Sequence, residues 1–452
     1  MATEARALTV NELIDERPLS RFQLTTILLC GVVLLLDGFD TQAMGFLVPP
    51  IAENFDVPLS AFGPVLAAGL VGLMLASMAS GPIADRWGRR WTIIGSTFVF
   101  GVFTLFTARA TSLNELVVFR FLTGLGLGGA MPNVVALATE YAPRRLQAVL
   151  VSMIFCGMGG GALVAGTAAS IMLPRWGWPS VLYLGGVLPI ALALVLIGVL
   201  PESVRFLTEH GADPQRVRAL VRRMGLPEDV QPGASSASPR VDDGHGRAPI
   251  ARLFTDGRST GTLLLWVPFF MNLLIIYFVV SWLPALLRQA GLPVSAGIAG
   301  VSAFSIGGII GSLIEGRWIN RFGAFAVLLA EFLAAAGLII VLAYFFGSYA
   351  VMLTATFILG IAVQGAQGGL NALAAIFYPT SIRSTGVGWC SGVGRIGSIV
   401  GPLIGGMLLS LAWTPRAIFL AAILPALVSA VVVAISSGLR GRSPYMLEFK
   451  GR

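Results

Sequence analysis

Apolar residues run along this chain in long stretches, separated by short links rich in arginine, glycine and proline. The stretches repeatedly reach or approach the ~20 residues that a helix needs to cross a hydrocarbon layer about 30 Å thick. They predict spanning helices over 22–48, 59–82, 91–109, 113–138, 146–172 and 179–200, then over 259–287, 295–316, 323–345, 349–375, 384–410 and 415–437. The segment 201–258 between the two sixes is rich in Arg, Asp, Pro, Ser and Gly. It has no sustained apolar face and reads as a partly disordered loop. The division this predicts is a first six-helix bundle over 1–200, a central loop over 201–258, and a second bundle with a tail over 259–452.

The two halves also echo one another in sequence. Gly81-Pro82-Ile83-Ala84-Asp85-Arg86-Trp87-Gly88 after the second helix is answered by Gly316-Arg317-Trp318-Ile319-Asn320-Arg321-Phe322-Gly323 after the eighth, 235 residues later. Asn133 near the end of the fourth helix is answered by Asn371 near the end of the tenth. A duplicated six-helix unit of this kind places a substrate site at the repeat interface near the midplane. The expected fold class is an all-α membrane protein with twelve transmembrane helices in two pseudo-symmetric bundles.

Composition narrows the chemistry. Of 452 residues, 56% are hydrophobic and 12% charged, against roughly 25% charged in ordinary soluble domains. The net charge of +8 does not call for nucleic acid, because the arginines cluster in the short links, where membrane orientation explains them. Arg86, Arg89, Arg90, Arg144, Arg145, Arg317, Arg321 and Arg383 lie on one side with the central loop and the tail, so that side is expected to be cytoplasmic along with both termini. The only lysine is Lys450, which excludes the phosphate-binding loop that needs one. His210 and His245 both lie outside the apolar runs, so intramembrane proton chemistry falls to carboxylates. Cys30, Cys156 and Cys390 sit inside apolar runs and are odd in number, which reads as packing rather than a disulfide framework. No cofactor or metal is called for.

The run Gly81-Pro82-Ile83-Ala84-Asp85-Arg86-Trp87-Gly88-Arg89-Arg90 resembles the loop signature of the major facilitator superfamily. Leu36-Asp37-Gly38-Phe39-Asp40 in the first helix is similar to the D-G-F-D motif of its aromatic acid:proton symporter family. The stretch from Arg120 to Asn133, the pair Tyr378-Pro379, and Gly392-Val393-Gly394-Arg395-Ile396-Gly397 carry the same likeness. The resemblance covers residues from about 12 to 435 apart from the central loop, and departs at Asn320, where the first half has Asp85. It implies the major facilitator fold and a monomeric symporter in a bacterial-type inner membrane. Its partners would be a small aromatic carboxylate, protons and the lipid bilayer.

A charge inside hydrocarbon costs at least ~2.5–3.5 kcal/mol, so intramembrane ionisable residues are functional candidates by default. Asp37 and Asp40, three residues apart, face the same way on a helix, and two carboxylates that close disfavour double ionisation. Helix depths bring Asp40 level with Arg120 and predict a pair that protonation would loosen, or a permanently ionised structural pair. Arg395, roughly 17 Å into the eleventh helix, offers a planar fork for a carboxylate. The competing partner is Glu331. Asn272, Tyr277, Phe278, Trp282, Gln364 and Gln367 are candidates for the walls of an aromatic site, and packing is the alternative for each. Asp85, Arg86, Arg89, Glu140, Arg144 and Arg383 are expected to form a cytoplasmic charge gate. Open alternatives are a porter for another organic anion or a sugar, and a non-transporting sensor. A neutral sugar has no need of a midplane arginine, and no set of enzymatic residues occurs in the apolar core.

Overall fold

The computed structural model describes residues 14–15, 17–211, 213–225, 250–255, 257–345, 347–379 and 382–439. Among them are twelve helices long and apolar enough to cross a membrane. These are α1 (Arg21–Phe55), α2 (Gly63–Trp87), α3 (Arg89–Thr107), α4 (Leu113–Glu140), α5 (Arg144–Trp176) and α6 (Trp178–Val199) in the first half. The second half holds α7 (Ser259–Gln289), α8 (Val294–Phe322), α9 (Ala324–Phe345), α10 (Tyr349–Phe377), α11 (Arg383–Ser410) and α12 (Pro415–Gly438). The predicted spans match these closely. Local chemistry sets several ends: Ser20 accepts from the Gln23 backbone while the Gln23 side chain returns to Ser20, a reciprocal cap that starts α1.

The halves pack by one scheme used twice. The heaviest contacts are α1 with α5, α2 with α4, α3 with α4 and α3 with α6, repeated as α7 with α11, α8 with α10, α9 with α10 and α9 with α12. Between halves, α2 meets α11, α5 meets α8, and α1 meets α7. Hydrocarbon gives apolar helices no reason to prefer one another over lipid, so tight association needs small residues at the crossings. In the first half a Cβ on Gly124 would collide with the Gly69 carbonyl and one on Gly128 with that of Leu73. In the second half, Gly307 and Gly360 are pressed in the same way against the carbonyls of Phe357 and Phe304.

The termini-proximal residues and the central segment share one end of the bundle, here the linker end. Asp15 bonds Arg144, and Arg17 bonds the Gly225 carbonyl. At the opposite, far end a single apolar core draws from both halves, joining Phe46, Leu47 and Phe62 with Val280, Trp282 and Phe304. At the linker end each half has a core of its own, one built around Ile93, Val134 and Tyr141, the other around Phe269, Phe332 and Tyr378. The molecule is sealed between its halves at the far end.

The central segment differs from expectation. It contains helices Val204–Glu209 and Pro214–Arg223 and a short 3-10 turn, Ile250–Phe254. An apolar face does exist, at Val217, Leu220, Val221 and Met224, a helical spacing hidden among arginines. All four are buried in the first half's linker-end core. Residues 226–249 lie outside the described residues.

Gly124→Val should cost about 1–3 kcal/mol by overpacking the α2–α4 crossing and lower the melting temperature of the detergent-purified protein. Gly95→Ala, with open space around it, should leave that melt unchanged.

Candidate functional site

The buried charges of the first half converge on α1. Arg120 of α4 donates to Asp40 Oδ2 at 2.8 Å, with both side chains almost wholly enclosed. Thr104 of α3 donates to Asp40 Oδ1, also at 2.8 Å. Asp40 therefore ties three helices together, and the guanidinium has room because Gly69 presents no side chain to it. Asp37 is equally buried but differently placed. Thr41 donates to its Oδ1 at 3.2 Å, while Oδ2 accepts from no described group. Asp37 feels the charges of Arg395 across the interface and of Asp40 beside it.

Arg395 of α11 is half-buried between the halves. Its Nη2 lies 3.3 Å from Met131 Sδ of α4, and it neighbours the Tyr277 hydroxyl of α7. Arg395 of α11 thus sits beside Tyr277 of α7, and its charge reaches Asp37 of α1. Glu331, its competing partner, lies elsewhere, against Glu315 and Gly365. Asn272 is fully buried and donates to the Val363 carbonyl and Gln367 Oε1, each at 3.0 Å, linking α7 to α10. Its Oδ1 has no partner among the described residues. Gln364 donates to the Phe304 carbonyl at 3.3 Å, which commits it to the α8–α10 crossing. Phe278 and Trp282, on the same helix as Asn272, lie farther toward the far end. Both are sealed in the far-end core, and the Trp282 indole donates to the Pro402 carbonyl at 2.9 Å.

The charges at the linker end are only partly assembled. Arg89 pairs with Glu140. Arg144 pairs with Asp15 rather than Glu140, because the segment before α1 crosses the start of α5. Asp85 and Arg86 are exposed, with no ion pair among the described residues. Arg383 donates to the Tyr378 carbonyl at 3.4 Å at the start of α11. The described contacts thus join Arg89 with Glu140 and Arg144 with Asp15, at the end where each half keeps a core of its own.

The model of the Major Facilitator Superfamily matches residues 30–389 and 300–445. The chain belongs to the major facilitator superfamily. It is 38% identical to the 4-hydroxybenzoate transporter PcaK of Pseudomonas putida over 95% of this chain and 96% of that one. It is 35% identical to a gallate transporter of Pseudomonas putida, over 96% of each. The benzoate transport protein of Acinetobacter baylyi is 31% identical, over 97% of this chain and 95% of its own. These relatives fall in the aromatic acid:proton symporter family. Among solved structures, a bacterial homologue of the human lysosomal transporter Spinster, inward-facing and occupied, superposes with a TM-score of 0.70. That match covers 93% of this chain and 97% of the other at 16% identity, a likeness of fold. The chain is a membrane transporter of this superfamily, not an enzyme.

In this facilitator Glu202, in the Pro201-Glu202-Ser203 run after α6, has a part at the loop signature that the sequence did not assign to it. Glu202 Oε1 accepts from the backbone N–H groups of Ser203, Arg89 and Arg90 at 2.8, 3.0 and 3.1 Å. An anion is thereby seated on the N-terminus of α3, where the helix dipole and unsatisfied donors favour it. Gly88 has φ 88°, open to glycine without strain, and a Cβ there would strike the Glu202 carboxylate. Tyr141 donates to the Glu202 carbonyl at 2.7 Å. Burial, reinforced by Glu140 and Glu202, pushes its phenol above the ordinary value and keeps it a neutral donor. The signal in sequence was Glu202 beside a helix-ending Leu200-Pro201, but its partner lies more than 110 residues away.

Glu202→Ala should strand these donors at a cost of about 1–3 kcal/mol. A thermal melt should fall accordingly, with Gly88→Ala giving a comparable loss through strain at positive φ.

Proposed function

We propose that this protein is a secondary transporter that imports small aromatic carboxylates together with protons by alternating access. The observation that carries the reading is Arg395, a half-buried guanidinium held where the halves meet, with Tyr277 and Asp37 as neighbours. The relatives supply the substrate class: their names specify 4-hydroxybenzoate, gallate and benzoate. A carboxylate suits the fork of Arg395 through two charge-assisted hydrogen bonds, and the Tyr277 ring gives an aromatic body a wall. A sugar porter would gain nothing from such a cation.

The arginine bias assigns the linker end to the cytoplasm, in a bacterial-type inner membrane. The conformation described is then open inward, with the far end closed. Coupling falls to Asp37 and Asp40 in different roles. Asp37, whose Oδ2 has no partner among the described residues, takes the proton. Its neutralisation removes the anion that competes for Arg395, and the substrate carboxylate takes its place. Asp40, held by Arg120 and Thr104, relays that change to α3 and α4. Arg89 and Glu140, with Asp85, Arg86, Arg144 and Arg383, act when the inner end closes, since alternating access rocks one half against the other.

Uptake into proteoliposomes should require an inward proton gradient and collapse with a protonophore; accumulation in fully uncoupled vesicles would refute symport. Asp37→Asn and Asp40→Asn should each abolish accumulation against a gradient while sparing some substrate exchange. Arg395→Ala, verified as folded, should lower affinity for an aromatic acid roughly tenfold or more, since hydrogen bonds to charged groups contribute about 1.5–3 kcal/mol each. Arg395→Lys should fall between, and a methyl ester should bind the unmodified protein poorly. Unchanged affinity in Arg395→Ala would move the carboxylate site elsewhere.

A further inference from the structure

Two carboxyl groups in the second half serve none of the roles above. Glu315 of α8 is 3% exposed and Glu331 of α9 is 5% exposed. Glu315 lies seven residues before the end of α8 and Glu331 seven after the start of α9, so each is roughly 10 Å inside the linker end. Their side chains converge on the face of α10 left bare by Gly365 and Gly369. A Cβ on Gly365 would sit 2.8 Å from Glu331 Oε1 and 3.4 Å from Glu315 Oε2. The two carboxyls are within hydrogen-bonding reach of each other. None of the four oxygens accepts a hydrogen bond from a described donor.

Among the described residues no cation pairs with either carboxyl, and the charge that acts on each is the other's. Arg317 and Arg321 on α8 are exposed at the linker end, α9 carries no other charge, and α10 carries none. On α12, which packs against α9, the one arginine is Arg416, stacked over Tyr344. On α11, Arg395 is engaged at the interface with Met131, and Arg383, exposed at the linker end, donates to the Tyr378 carbonyl. Two bare carboxylates in contact, both out of water, would each carry a desolvation penalty of several kcal/mol and repel. One proton between them turns that repulsion into a charge-assisted hydrogen bond.

The internal repeat indicates that the fold itself does not require acids here. The positions 235 residues earlier are Ser80 and Ser96. Ser96 lies against Gly129 as Glu331 lies against Gly365, and Ser80 donates to the Ser77 carbonyl. The first half fills the same three-helix junction with hydroxyls.

We propose that Glu315 and Glu331 form a proton-binding site of the second half, holding one proton between two carboxyl groups and latching α8 to α9 near the linker end. Loss of that proton leaves like charges in contact and loosens the junction. The site is distinct from Asp37 and Asp40, and it stands independently of the transport reading because it can be observed without substrate.

The test is infrared spectroscopy of the full chain, purified and reconstituted in lipid, at neutral pH in H2O and D2O. A deuterium-sensitive C=O stretch of a protonated carboxyl group should be present and should survive in Asp37→Asn/Asp40→Asn. It should be lost or shifted in both Glu315→Gln and Glu331→Gln, and lost in the double glutamine variant. Glu315→Ser/Glu331→Ser, which copies the first half, should fold and lack the band, so the assignment does not depend on the glutamine variants alone. A band that persists when either double variant is made in the Asp37→Asn/Asp40→Asn background overturns the proposal. So does one that responds to Glu331→Gln and ignores Glu315→Gln, which would mean a lone protonated acid. Carboxylate stretches that shift when sodium is replaced by N-methylglucamine, with no acid band, would assign the site to a metal cation and overturn it equally.

Discussion

A charge cannot be left alone in hydrocarbon, and the interior of this protein is organised by the ways that cost is met. Asp40 meets it with a guanidinium and a hydroxyl at hydrogen-bonding distance, a closed arrangement that joins α1, α3 and α4. Arg395 meets it incompletely: its nearest polar company is a thioether, a phenol and an acid across the interface. An incomplete arrangement is what a transient ligand can finish. Glu315 and Glu331, among the described residues, have only each other. The three solutions differ in how much is left for a mobile species to supply, and that gradation separates scaffold from working parts.

The same economy explains why the halves meet as they do. Apolar surface alone does not hold helices together in lipid, so lasting contacts depend on backbones brought close by glycine. Within each half such crossings run along α2–α4 and α8–α10. Between halves, close approaches occur where Gly45 nears Val280, Gly63 nears Pro402, and Gly166 nears Ser302, all toward the far end. The interface is thus tight on one side of the charged centre and divided into two cores on the other.

Much of this was legible in the chain. Spanning helices announce themselves because a bilayer requires contiguous apolar runs, and the Asp40–Arg120 contact followed from rise per residue alone. What stayed hidden depended on which way side chains turn. Trp282 and Tyr277 are five residues apart on one helix, yet one is walled into the far-end core and the other borders the charged centre. The helix Pro214–Arg223 escaped because arginines surround its four apolar positions and mask their spacing. Glu331 stood only as an alternative partner for Arg395, and the structure sets it against another acid instead. Arg144 turned to Asp15, in a segment whose path no local pattern specifies.

The central segment is fastened at both margins. Val217, Leu220, Val221 and Met224 belong to the first half's core, while Leu253 is enclosed in the second half's and its carbonyl accepts from Thr262. Covalent continuity between the halves therefore passes only through the residues from 226 to 249. An insertion or deletion of one residue on either flank would turn these apolar side chains away from the core they enter and displace an anchor.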